Sequence, residues 1–102
     1  MKYNKLVRDK VPQIISKKGN VPVTHIADEK EYWQKLKEKL REEVNEFIFN
    51  EKEDELADIL EVMESIYAFK KMDSNTIMEI KNKKKEERGG FTKKIILDET
   101  KE

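Results

Sequence analysis

Apolar residues recur every three or four positions over two long stretches of the chain. In the first, Trp33, Leu36, Leu40, Val44 and Phe47 fall on one arc, roughly 80° wide at about 100° per residue, which predicts an amphipathic helix from about Glu29 to about Phe49. Asp28, with Glu31 three residues later, has the spacing of a capping box and opens it. In the second stretch Leu56, Ile59, Leu60, Met63, Ile66 and Tyr67 form the arc, with Val62 at its margin, and predict a helix from about Asp54 to Lys70. The polar run from Asn50 to Glu53 is short enough for a tight connection, so the two helices should lie antiparallel.

Weaker signals fill the rest. Val11 to Lys18 predicts a short helix that tolerates Pro12 in its first turn and stops at Gly19. The β-branched stretch VPVTHI, from Val21 to Ile26, reads as extended. Met72 to Asn75 breaks the pattern, Thr76 with Glu79 offers another capping box, and a lysine-rich helix ends at Gly89 and Gly90. The closing FTKKIIL, from Phe91 to Leu97, reads as extended again. The fold class is therefore all-α: an antiparallel helical bundle with short extended pieces near the ends.

Composition adds constraints to that pattern. At 102 residues the chain has the size of one domain, 1–102. Charged residues make up 43% and hydrophobic ones only 36%, which is a thin core for a lone protomer. A homodimer or homotetramer is expected. Lysine plus arginine, 22, balances aspartate plus glutamate, 22, so no global field draws the chain to nucleic acid or an anionic membrane. The cluster Lys81, Lys83, Lys84 and Lys85 is followed at once by Glu86 and Glu87, with no aromatic residue interleaved for stacking, and reads as a solvated face. No segment approaches the roughly 18 consecutive apolar residues of a membrane span, there is no apolar signal core, and the chain lacks cysteine. The cytoplasm is the expected location.

The acids of the two long helices carry the chemistry. Glu43 lies at the edge of the first apolar arc, and Glu46 about 60° further round. Glu55 sits between Val62 and Ile66 on the second arc, with Asp58 about 60° outside it. Antiparallel pairing brings these four carboxylates together. No lysine or arginine is read on the same arcs at those levels, so a cation is the natural neutraliser. Oxygen donors alone favour a hard ion, Mg²⁺ or Mn²⁺, which keeps several waters and accepts phosphate oxygens. A dinuclear iron site of the ferritin type would need two Glu-x-x-His motifs, and the one histidine, His25, lies outside both helices and has no evident partner. The contrasting reading is ordinary helix-surface pairing of acids with lysines, in a non-catalytic interaction or regulatory module.

Glu42-Glu43-Val44-Asn45-Glu46 followed by Glu55-Leu56-Ala57-Asp58 resembles the Glu-Glu-x-x-Glu and Glu-x-x-Asp signature of the MazG-like and phosphoribosyl-ATP pyrophosphohydrolase group, all-α nucleotide pyrophosphohydrolases. The opening YNKLVRDKVPQII and closing ERGGFTKKIIL resemble the ends of a short MazG-like subgroup, so the likeness spans nearly the whole chain. It implies an oligomeric helical bundle and Mg²⁺-dependent cleavage between the α and β phosphates of a nucleoside triphosphate. The products are a monophosphate and pyrophosphate, a chemistry of nucleotide-pool house-cleaning. By this resemblance the metal ligands are Glu43, Glu46, Glu55 and Asp58. Glu42 joins Glu43 as a catalytic candidate, orienting water or standing behind the ligands. The interval of eight residues between Glu46 and Glu55 is shorter than in larger members and still permits antiparallel pairing. Lys5, Arg8, Lys10 and Arg88 are the candidates for phosphate contact, arginine being suited to a two-pronged grip.

Overall fold

A computed structural model describes residues 2–102. Among them are four helices and no strand: α1 (Val11–Lys17), α2 (Glu29–Asn50), α3 (Glu53–Lys70) and α4 (Ser74–Arg88). The all-helical expectation holds. The segments expected to be extended are irregular instead, and pair with nothing in a ladder. The helices fall into two compact units, Met1–Lys71 and Met72–Glu102.

In the first unit α2 starts where its cap residue allows. The Asp28 carboxylate accepts a bond of 2.8 Å from the Glu31 backbone N–H, supplying one of the donors that a helix start leaves free. The Glu31 side chain does not close the box. It turns to His25 Nε2, at 2.9 and 3.0 Å, which gives the histidine a partner that the sequence did not reveal. At the other end Glu51 adopts a left-handed conformation, φ 56°, and its N–H returns to the Phe47 carbonyl. One further residue, Lys52, leads into α3.

So short a link turns α3 back along α2. Trp33, near the start of α2, stacks on Phe69 near the end of α3, with ring centroids 5.7 Å apart and planes 14° from parallel. At the opposite end Glu43 meets Glu55 and Asp58. The pair is antiparallel, as the polar run implied. Trp33 is half-buried, and the ammonium groups of Lys37 and Lys70 lie over its ring at 5.2 and 5.0 Å.

The seam between the helices departs from the sequence pattern in position. It follows the acid-bearing edges of the two arcs rather than their centres. Leu36 is 1% exposed, Glu43 6% and Val62, expected at the margin, 8%. Leu60, on the edge of its arc away from the acids, is 59% exposed, and Leu56, Val44 and Ile48 are exposed with it. Periodicity reports which face is apolar, but a single neighbouring helix covers only part of an arc that wide.

The second unit contains α4 and the tail. Its cap is Asp73 rather than Thr76: the Asp73 carboxylate accepts from the Asn75 N–H at 2.9 Å and from the Thr76 hydroxyl at 3.4 Å. Aspartate one residue ahead of the helix reaches the free N–H groups directly, and Thr76 becomes its donor. Gly89, at φ +83°, ends α4 as expected. No residue of α4 is buried, so the lysine cluster is a solvated face. The tail turns at once, Lys94 N–H bonding the Phe91 carbonyl with Lys94 at φ +60°, in place of the expected extended run.

Candidate metal centre

Glu43, Glu55 and Asp58 each offer one carboxylate oxygen to a cluster whose three atoms all lie within 4.8 Å of one another. Glu43 comes from the middle of α2, while Glu55 and Asp58 stand one turn apart at the start of α3. The tight link and the antiparallel seam are what place them opposite. Glu46, one turn beyond Glu43 and exposed, stands beside the three rather than among them. The charge of Glu43, with desolvation and the charge of Glu55, holds its carboxyl above the ordinary value of 4.5.

Glu43 is the most informative member. Its Oε1 lies 3.3 Å from Lys39 Nζ, and its Oε2 is buried with no hydrogen-bond partner. A buried carboxylate with an unpartnered oxygen, clustered with two other carboxylates, is costly unless a cation satisfies it. The donor set, all carboxylate oxygen, matches a hard divalent ion, and Glu43, Glu55 and Asp58 are the residues that could hold one.

The cations around the cluster correct the sequence reading, which placed no lysine or arginine at these levels. Lys39 is one turn before Glu43 and also lies 3.4 Å from Glu42. Four residues before Glu43, Lys39 lies on the same acid-bearing edge of α2. Lys5 Nζ donates to Glu42 Oε1 at 3.1 Å and Arg8 Nη2 to Asp58 Oδ1 at 2.9 Å, both from segments far away in sequence. Burial alone would raise the Glu42 pKa, but the Lys5 hydrogen bond and the field of Lys39 outweigh it and hold the group below its ordinary value. The same bond raises Lys5, helped by the charges of Glu42, Glu46 and Glu43. Asn50, unremarked in the sequence, donates from Nδ2 to Glu55 Oε1 at 2.9 Å and orients that carboxylate.

The structure thus brings Lys5 and Arg8 to the acids Glu42 and Asp58. Lys10 is exposed at the N-cap of α1, and Arg88 closes α4 in the second unit. An open cleft of about 520 Å³ runs along the outer flank of α2 beside the cluster, lined by Glu42, Asn45, Glu46 and the 88% exposed Phe49 among others.

No family model matches the chain. A protein of Mycolicibacterium smegmatis described only as uncharacterized is 46% identical over 41 residues, 40% of this chain and 42% of that protein's length. The chain therefore spans less than half of that relative. No solved structure matches. None of the helices is long and apolar enough to cross a membrane among the described residues.

Proposed function

We propose that this chain is a divalent-metal-dependent nucleotide pyrophosphohydrolase. The observation that carries the reading is Glu43, whose Oε2 is buried without a partner and whose carboxylate clusters with those of Glu55 and Asp58. Acids that merely decorated a helix surface would be solvated on every oxygen.

A Mg²⁺ or Mn²⁺ ion bound there would offset charge on phosphate oxygens and lower the pKa of a bound water. Glu43, Glu55 and Asp58 would hold the ion, with Glu46 beside them as a further carboxylate. Asn50 fixes the rotamer of Glu55. Glu42, ionised through Lys5 and Lys39, accepts a hydrogen bond from the attacking water and orients it. The cleft beside Glu42 and Glu46 takes the rest of the nucleotide, with the exposed Phe49 ring as an apolar wall for the base. The reaction is hydrolysis between the α and β phosphates, giving a nucleoside monophosphate and pyrophosphate.

The working form is a homo-oligomer in which a second copy covers Val44, Ile48, Leu56 and Leu60. This reading is supported by the uncovered edges of both apolar arcs, because a pair of helices with so few buried apolar side chains has little to stabilise it alone. Pyrophosphate release from a panel of ribo- and deoxyribonucleoside triphosphates, with and without Mg²⁺, tests the activity. Release that is absent throughout, or indifferent to chelation of the metal, overturns it.

A further inference from the structure

We propose that Arg8 is an exchangeable counter-ion of the acid cluster: it holds Asp58 in the metal-free protein and, when a divalent cation takes that carboxylate, passes to a phosphate of the nucleotide. This rests on the metal-dependent reading above and adds a residue that couples the two binding events.

The geometry separates a fixed anchor from a movable side chain. Residues 4–8 make contacts with side chains of both long helices. Lys35 Nζ donates to the Asn4 carbonyl at 2.7 Å, with Asn4 at φ 47°, and Lys5 bonds Glu42 at 3.1 Å. Downstream, the Arg8 carbonyl accepts from the Val11 N–H at 3.0 Å, where α1 begins. The backbone on either side of Arg8 is thus tied down without the help of its guanidinium. The guanidinium itself makes one bond, Nη2 to Asp58 Oδ1 at 2.9 Å, and its side chain is 59% exposed. One prong of a five-donor group is in use, so it can leave without unseating the segment.

Charge decides the direction of the exchange. Asp58 is one of three carboxylates converging with Glu43 and Glu55, and Arg8 neutralises part of that field when no metal is present. A divalent cation on Asp58 competes for the same lone pairs and repels the guanidinium at short range. A polyphosphate then brings fresh negative charge to the place Arg8 has left, in a form its fork fits better than a single carboxylate oxygen.

Mn²⁺ titrations at low salt, read by electron paramagnetic resonance without nucleotide, test the first half. Arg8→Gln should bind Mn²⁺ about two- to five-fold more tightly than the parent, the equilibrium equivalent of an exposed ion pair that no longer has to break. Arg8→Lys, which keeps the cation, should stay near the parent, and Lys18→Gln at the exposed end of α1 controls for net charge. With saturating Mn²⁺, an α,β-imido triphosphate should bind both Arg8 variants at least several-fold more weakly. Equal or weaker Mn²⁺ binding by Arg8→Gln overturns the exchange, and parental analogue affinity in Arg8→Lys and Arg8→Gln overturns the phosphate half. A parent that binds no Mn²⁺ overturns this proposal and the metal-dependent function together. A parent that binds Mn²⁺ but releases no pyrophosphate overturns only the activity, and the Arg8 titrations still decide the exchange.

Discussion

Lys39 sits 3.3 Å from one oxygen of Glu43, one turn along α2, while the other oxygen of the same carboxylate is buried without a partner. The chain itself therefore neutralises the cluster only in part. Arg8 pairs with Asp58, and the second oxygen of Glu43 is still left without a donor.

Glu43→Gln should separate the two halves of that arrangement. The amide oxygen can still accept from Lys39, and the amide nitrogen can donate to Glu55 or Asp58, so repulsion and desolvation both fall. The metal-free melting temperature should stay level or rise, with an upper bound of about 4–8 °C for a gain of about 1 kcal/mol. The increment produced by millimolar Mg²⁺ should shrink, and pyrophosphate release should fall at least a hundredfold. Scanning calorimetry with and without Mg²⁺, beside the activity assay, measures all three; an unchanged Mg²⁺ increment would sink the ligand assignment.

Stability should depend on very few side chains. Leu36→Ala removes the most deeply buried residue of the α2–α3 seam and should cost about 3–5 kcal/mol, lowering the melting temperature by more than about 10 °C. Ile48→Ala in an isolated protomer should cost far less, because that side chain is 67% exposed. Circular dichroism melts at matched concentration compare the two.

The open apolar face makes a prediction about mass. The parent should scatter light as a dimer or larger, at least twice 12.2 kDa. Leu60→Glu places a charge where a lone protomer already meets water and should keep helicity while shifting the mass toward the monomer. A parent that is monomeric at high micromolar concentration would remove the second copy from the proposal.

The Lys5–Glu42 pair sets a pH window. Glu42 is depressed in the folded state, so its contribution is present above the unfolded carboxylate value and lost as pH falls through the folded one, below 4.5. Lys5 is raised, so its contribution is lost only as pH rises past the folded value, above 10.5. Lys5→Gln should lower metal-free stability by at most about 1 kcal/mol at neutral pH, since the pair is partly exposed. The difference from the parent should vanish on acidification well below 4.5. Chemical denaturation at several pH values checks it, and a difference that persists in acid would mean that packing, not charge, is lost.

Some of this was written locally. Asp28 caps α2 because a short carboxylate ahead of an apolar run reaches the free N–H groups three residues on, and Gly89 ends α4 because its φ is positive. Glu43 was legible as a carboxylate on the apolar edge of a helix, and the short polar link made its meeting with Glu55 and Asp58 a matter of chain geometry. Such features depend on neighbours within one or two turns, and the order of residues contains them. The tertiary structure alone decided which edge of each apolar arc is covered, since an arc about 80° wide offers one neighbour several ways to pack. It also decided that Arg8, fifty residues from Asp58, supplies that carboxylate's positive charge, and that Lys5 depresses Glu42. A charge is attracted to every opposite charge in the chain, and only the folded path of the backbone selects the one it reaches.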